Sequence, residues 1–300
     1  MKDKRDLYIL CVAVASMAIA SSITGFAGLL RGHAEIDRSE WMKTFSDDLS
    51  LRQIAIPGTH DSVATRSIGD LSGEAQTLNL EDQLYTGVRF FDIRLKLQGS
   101  SLRGFHGIVD QKIGFDKIQK TFDTFLEKHP SETILVSIKD EANSSDQTAF
   151  ASTLKETLSE RWYIDTELPS NLGQARGKAI LFSRFGGDFG IPCYHGWLTN
   201  DTFTLPNGIF VQDFYKTDDV EAKKEAIRAC FEEGGHPLKI NFLSGYRPSS
   251  FPPDYAPSIA KEINPWIKEA ILDVEDPNVV LYDFVTDGML DSFFEGRLPE

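Results

Sequence analysis

Eight short, almost continuously apolar runs are spaced along this chain: Ile54–Pro57, Val88–Leu95, Ser101–His106, Ile134–Lys139, Ala179–Ser183, Ile209–Asp213, Lys239–Phe242 and Val279–Phe284. Most are rich in β-branched and aromatic residues, as strands covered on both faces must be, because such a strand has no polar side. Helical periodicity lies between several of them. Phe115, Ile118, Phe122, Phe125 and Leu126 mark one face of a helix that stops at His129-Pro130. Val220, Ile227, Cys230 and Phe231 mark another, which starts at Thr217-Asp218 and ends before Gly234-Gly235. Strand–helix alternation with about eight strands predicts an α/β fold, an irregular (β/α)8 TIM barrel in a single domain.

Polar residues fall at one end of these runs. His60 lies just past the first, Asp92 and Arg94 late in the second, His106 at the end of the third and Lys139 at the end of the fourth. Arg184 follows the fifth, Asp213 ends the sixth and Asp283 sits late in the eighth. In a barrel all of these face the C-terminal mouth, where active sites are built. Seven of eight runs delivering an ionisable residue to one rim predict a polar pocket, suited to a substrate with several hydroxyls and a phosphate.

Composition narrows the partners. The formal charge of -14 over 300 residues makes a nucleic-acid backbone a poor partner, because counterion release needs Lys and Arg clusters. The N-terminus departs from this balance. Lys2, Lys4 and Arg5 precede an uncharged stretch from Leu7 to Leu30, with the small-residue triplet Ala18-Ile19-Ala20 inside it. This predicts a secretory signal cleaved after Ala20, or a signal anchor if the stretch is retained. Residues 1–34 are therefore read as export segment and linker, and 35–300 as the exported, monomeric domain. Of the cysteines beyond the export segment, Cys193 and Cys230, the expectation is unpaired core residues. Trp41, Trp162, Trp197 and Trp266 are expected in the core or at its edge.

Phosphodiester cleavage needs a base for the attacking oxygen, an acid for the leaving oxygen and a cation where charge builds up on phosphorus. His60, His106 and Arg94 supply these without a metal or other cofactor, and each histidine contributes on the order of 10²–10⁴ in rate. Arg94 is suited to hold a phosphate through parallel N–H bonds. A carboxylate behind each histidine would fix its tautomer, with Asp61, Asp92 and Asp283 available. Two other readings stand beside this one. A Gly-Thr-His-Asp turn also serves as a plain strand-to-helix connection. Metal-assisted hydrolysis could use His60, His106 and Asp92 as ligands, although Arg94, two residues from Asp92, would repel a divalent ion. His33, His129, His195 and His236 are read as export-segment, helix-end or loop residues.

The stretches Ile54–Ser62 (IAIPGTHDS), Phe90–Arg94 (FFDIR) and Phe105–Gly107 (FHG) resemble motifs of bacterial-type phosphatidylinositol-specific phospholipase C. The likeness continues in order through His129–Glu141, Gly177–Arg184, Val211–Tyr215, Ile240–Phe242 and Val280–Phe284, spanning about residues 40 to 296. The resemblance implies an irregular TIM barrel and a two-step reaction at a membrane surface. His60 would activate the inositol 2-hydroxyl and His106 would protonate the diacylglycerol oxygen, giving inositol 1,2-cyclic phosphate that is hydrolysed more slowly. Arg94 would stand where calcium stands in the eukaryotic relatives. Asp283 would orient His60, Asp61 would support His106 and the leaving oxygen, and Asp92 would join the same cluster. Lys139, Arg184 and Asp213 would hydrogen-bond inositol hydroxyls, and Tyr215 would stack on the ring. Tyr246, Phe251 and Tyr255, in the loop from Gly245 to Tyr255, are the aromatic residues offered for interfacial binding. Alternatives are a related barrel acting on a glycosyl-phosphatidylinositol anchor, a glycerophosphodiester or a sphingolipid, and a headgroup-binding module without catalysis.

Overall fold

A computed structural model describes residues 37–68, 73–144, 146–249 and 256–299. The N-terminal apolar stretch, His33, Phe251 and Tyr255 lie outside the described residues. The strands are β1 (Ile56–Thr59), β2 (Phe90–Gln98), β3 (Ser101–His106), β4 (Val109–Gly114), β5 (Ile134–Asp140) and β6 (Trp162–Tyr163). They continue as β7 (Ala179–Arg184), β8 (Ile191–Pro192), β9 (Thr202–Thr204), β10 (Phe210–Gln212), β11 (Lys239–Phe242) and β12 (Val279–Tyr282). The helices are α1 (Leu80–Tyr85), α2 (Phe115–Lys128), α3 (Thr148–Thr157), α4 (Leu172–Ala175), α5 (Val220–Glu232), α6 (Pro257–Ala270) and α7 (Asp287–Phe294).

Seven parallel strands, in the order β7-β5-β2-β1-β12-β11-β10, make the curled wall of an irregular TIM barrel. Every residue of β1, β7, β11 and β12 is buried, as expected for strands with barrel interior on one face and helices on the other. Among the described residues no ladder joins β7 or β8 to β9 or β10, so the wall is open along that seam. Gly58 explains part of the close winding. A Cβ there would sit 2.8 Å from Phe90 Cβ, so only glycine lets β1 lie against β2. Helix α2 buries Phe115, Ile118, Phe122, Phe125 and Leu126 as its spacing requires, and His129 caps it before Pro130. Helix α5 starts one residue later than the sequence suggests, because the Asp219 carboxylate accepts the Ala222 N–H.

One of the eight runs is not a barrel stave. β3 pairs antiparallel with β2, with Leu95 opposite Gly104 and Gln98 opposite Ser101, and β4 extends the hairpin. The physical reason is the length of the Gly99-Ser100 connection: two residues can reverse a chain into an antiparallel neighbour, whereas a parallel one needs a crossover of about a dozen or more. His106 therefore reaches the mouth from a hairpin folded over it rather than from a stave end.

Below the wall, Arg89 and Glu132 form a fully buried ion pair at 2.8 Å, and Glu132 also accepts the Met42 N–H. Cys193 and Cys230 are both free and buried, as expected for core residues. Among the described residues no helix is long and apolar enough to cross a membrane.

Candidate active site

Period-two geometry places the first groups. Phe91 packs outward on Phe122 of α2, with ring centres 5.0 Å apart, so Asp92 and Arg94, both an odd number of residues from it, fall on the opposite, interior face of β2 with Phe90. The turn after β1 brings His60 and Asp61 to the same place. Ser62 ties it down: its N–H donates to the Asp92 carbonyl at 2.8 Å and its hydroxyl accepts the Asp92 N–H at 2.9 Å. Gln76 Nε2 donates to the carbonyls of His60 (2.9 Å) and Tyr282 (2.8 Å), locking the ends of β1 and β12 together.

His60 lies between two partners of opposite charge. Its Nδ1 is 2.8 Å from Asp283 Oδ1, and its Nε2 is 2.6 Å from Arg94 Nη2. A guanidinium only donates, so Nε2 must be the unprotonated nitrogen and Nδ1–H must donate to Asp283. Burial pushes the imidazole pKa down, yet the Asp283 carboxylate and its hydrogen bond, together with Asp92, outweigh burial and Arg94, and the net shift is upward. The result is a neutral imidazole with its lone pair at Nε2 and an elevated proton affinity, the form a general base needs.

Arg94 is pinned from behind. Asp92 Oδ2 accepts from Arg94 Nε (3.2 Å) and Nη2 (3.1 Å), while Asp92 Oδ1 accepts from Arg184 Nη1 at 3.0 Å. Burial would raise the Asp92 pKa, but the two guanidiniums drive it far below the carboxylate range. Both oxygens of Asp92 are thus occupied by arginines, which leaves it unsuited to a metal. No group of three or more His, Cys, Asp or Glu among the described residues is arranged to hold one.

Asp61 is fully buried with a positive φ of 43°, and neither carboxylate oxygen has a hydrogen-bond partner. Its Oδ2 lies 3.5 Å from Arg94 Nη1 and 3.8 Å from His106 Nδ1. Burial raises its pKa, against the pull of Arg94, His106 and His60. His106 Nδ1 is 3.1 Å from the Gly73 carbonyl, which makes Nδ1 a donor and assigns Nε2 to any proton delivered into the cavity. Gly107 next to it has φ +55°, and its N–H donates to Glu141 Oε1 at 3.0 Å.

Of the ten residues singled out in the sequence, eight line one cavity of about 630 Å3: His60, Arg94, His106, Lys139, Arg184, Asp213, Tyr215 and Asp283. Asp61 and Asp92 lie beneath it, reaching it through Arg94. Other residues complete the lining, and two that were not anticipated hold the anticipated ones in place. Glu141 accepts from Lys139 Nζ at 2.9 Å; burial pushes its pKa up, but Arg94 and Lys139 bring it to about 2. The signal for it was present, since Glu141 is two residues past Lys139 and shares its face. Trp197 is the other: it packs at the edge of the core, as expected, and also lines the cavity. Its indole N–H donates to Asp213 Oδ2 at 3.0 Å, and Arg184 lies 3.7 Å above its ring. It spans the open seam, where no ladder holds β7 against β10, so a cation–π contact and a hydrogen bond do so instead. Tyr246, expected on the docking loop, lines the cavity with its ring 5.9 Å from that of Tyr215. Trp41 and Trp162 are buried as expected.

Fold and site together define an α/β-barrel protein with two histidines and a fixed guanidinium in a pocket at the C-terminal mouth. Residues 55–185 match the family described as phosphatidylinositol-specific phospholipase C, X domain. The 1-phosphatidylinositol phosphodiesterase of Listeria monocytogenes is 26% identical over 262 residues, covering 77% of this chain and 76% of that protein. The protein of the same name from Staphylococcus aureus strain Newman is 29% identical over 263 residues, covering 77% and 82%. The solved phosphatidylinositol-specific phospholipase C from Listeria monocytogenes superposes with a TM-score of 0.73 at 23% identity, over 87% of this chain and 98% of that one. The match to the phosphatidylinositol-specific phospholipase C family model thus lies on residues 55–185, and the similarity to the two phosphodiesterases extends over 77% of this chain.

Proposed function

We propose that this protein cleaves phosphatidylinositol to diacylglycerol and inositol 1,2-cyclic phosphate without a metal ion. His60 Nε2 takes the proton of the inositol 2-hydroxyl as its oxygen bonds to phosphorus. The bond from phosphorus to the glycerol oxygen breaks, and His106 Nε2 protonates that oxygen. Arg94 exchanges its contact with His60 for the non-bridging oxygens, where charge accumulates. In the slower second step water takes the place of the departed diacylglycerol: His106 Nε2 takes its proton as its oxygen bonds to phosphorus, the bond from phosphorus to the inositol 2-oxygen breaks, and His60 Nε2 protonates that oxygen. Lys139, Arg184 and Asp213 hydrogen-bond inositol hydroxyls, and Tyr215 stacks on the ring. The observation that carries this reading is the tautomer of His60, held by Asp283 on one nitrogen and facing a guanidinium with the other. The basic-then-apolar N-terminus supports export, and the protein is read as a monomer that meets its lipid at a membrane surface.

The test incubates the purified protein with phosphatidylinositol and excess chelator and looks for inositol 1,2-cyclic phosphate. Absence of product from the wild type overturns the mechanism. Undiminished activity in His60→Ala or His106→Ala overturns the assignment of roles.

A further inference from the structure

Helix α5 turns one lysine away from water and into the wall. Lys223 is fully buried, and its Nζ donates to Phe214 O at 2.7 Å, Phe242 O at 2.6 Å and Gln212 Oε1 at 3.1 Å. Three acceptors match the three N–H bonds of an ammonium, whereas a neutral amine would leave one acceptor facing a lone pair. Burial pushes this ammonium down to about 7 against the pull of Asp213 and Asp283, so the acceptors are what the site offers to keep it protonated.

The acceptors lie where the headgroup pocket begins. Phe214 sits between Asp213 and Tyr215, and both of its backbone groups are committed: the carbonyl to Lys223, and the N–H to Gln212 Oε1 at 2.8 Å. Gln212 in turn donates to Asn241 Oδ1 at 2.7 Å and Phe242 O at 2.8 Å, and Asn241 donates back to Ile227 O of α5 at 3.0 Å. The Phe242 ring stands edge-on to His60, with centroids 6.0 Å apart, and to Trp197 at 6.1 Å. Lys223 is not among the residues lining the cavity, so any effect it has on substrate passes through those it holds.

We propose that Lys223 is a positioning residue of the headgroup pocket, fixing the Asp213–Tyr215 segment from behind and thereby setting affinity for the inositol ring. The inference rests on reading the cavity as an inositol phospholipid site.

The test uses Lys223→Met in the full chain, which keeps the volume and removes the three donors. Two readouts are taken: myo-inositol binding by calorimetric titration, and kcat and KM on a soluble short-chain phosphatidylinositol. The expected result is about tenfold weaker myo-inositol binding and a KM raised by about the same factor, the scale of one charge-assisted hydrogen bond, with kcat changed far less. In an Asp213→Ala background, Lys223→Met should weaken binding much less, because the group it positions is gone. Unchanged myo-inositol affinity, an equal fall in kcat with KM unmoved, or full additivity with Asp213→Ala would each overturn the proposal. If Lys223→Met does not fold, Gln212→Leu frees the Phe214 N–H and must show the same KM-selective loss; unchanged KM there overturns it. A wild type that binds myo-inositol but cleaves nothing would sink the catalytic reading and leave this one standing.

Discussion

Replacing Asp283 with asparagine isolates the charge behind His60. The contact is short, 2.8 Å, with side chains only 14% (His60) and 1% (Asp283) exposed, so water screens little of it. A hydrogen bond to a charged group contributes about 1.5–3 kcal/mol net, which is about tenfold to about 150-fold in rate if the interaction strengthens as His60 takes up a proton. The pH dependence carries the sharper content. In the proposed reaction His60 must be unprotonated to accept the 2-hydroxyl proton, and its pKa stands above the ordinary 6.5 although burial and Arg94 push down. Without the Asp283 charge those two downward influences face only the weaker pull of Asp92. The pKa then falls, and the acid limb of kcat/KM moves to lower pH while the plateau drops. The assay is kcat/KM against pH on a soluble phosphatidylinositol for both proteins. An acid limb that stays in place or moves upward would refute the argument, as would a plateau equal to the wild type's.

Arg94→Lys should lower kcat/KM by about 100-fold or more, because a single ammonium cannot hold Asp92 through two N–H donors and still face the substrate phosphate; steady-state kinetics with and without added calcium would read it, and activity near the wild type's would contradict it. Glu141→Gln should flatten the acid limb of stability. The Glu141 pKa is depressed from 4.5 to about 2, so its contribution is complete above about 4.5 and lost as pH falls through about 2. Urea midpoints of the two proteins across that window should converge towards low pH, and parallel curves would count against it. Arg89→Met leaves Glu132 buried without its partner and should cost about 3–5 kcal/mol of stability. Adding Glu132→Leu should restore part of that, and a single variant as stable as the wild type in urea unfolding would refute the reading.

The staves were legible because burial on both faces leaves little room for polar residues, so β5, β7, β11 and β12 stand within two residues of where their apolar runs predict. Phe284 shows why boundaries drift: the run continues through it, but its φ of +50° takes the chain out of the strand. The assignment of β3 to the wall failed because an apolar run announces a strand but not its direction. Only the two-residue Gly99-Ser100 link carries that information. The eight lining residues were legible for a related reason, since an ionisable group at the end of an apolar run has one place to go. Trp197 was not, because a tryptophan in a loop looks the same in sequence whether it fills a core or bridges a seam. The open seam itself is a tertiary fact, with no local pattern behind it.

The acidity of the chain and the cations of the pocket fit together once their partners are followed. Arg94 is held by Asp92 and faces Asp61, Arg184 is held by Asp92, and Lys139 is held by Glu141. Little uncompensated positive charge is therefore left to attract anions at long range, and a net charge of -14 is no obstacle to the site. What the carboxylates contribute is orientation. Each fixes a donor in advance, so little reorganisation remains when charge develops on phosphorus. A site built this way should discriminate weakly for anions in the ground state and strongly for the extra charge of the transition state. Arg94 shows both halves of the arrangement: Nε–H and one Nη2–H spent on Asp92, and the same Nη2 held 2.6 Å from His60 Nε2, where the proposed reaction puts the phosphate.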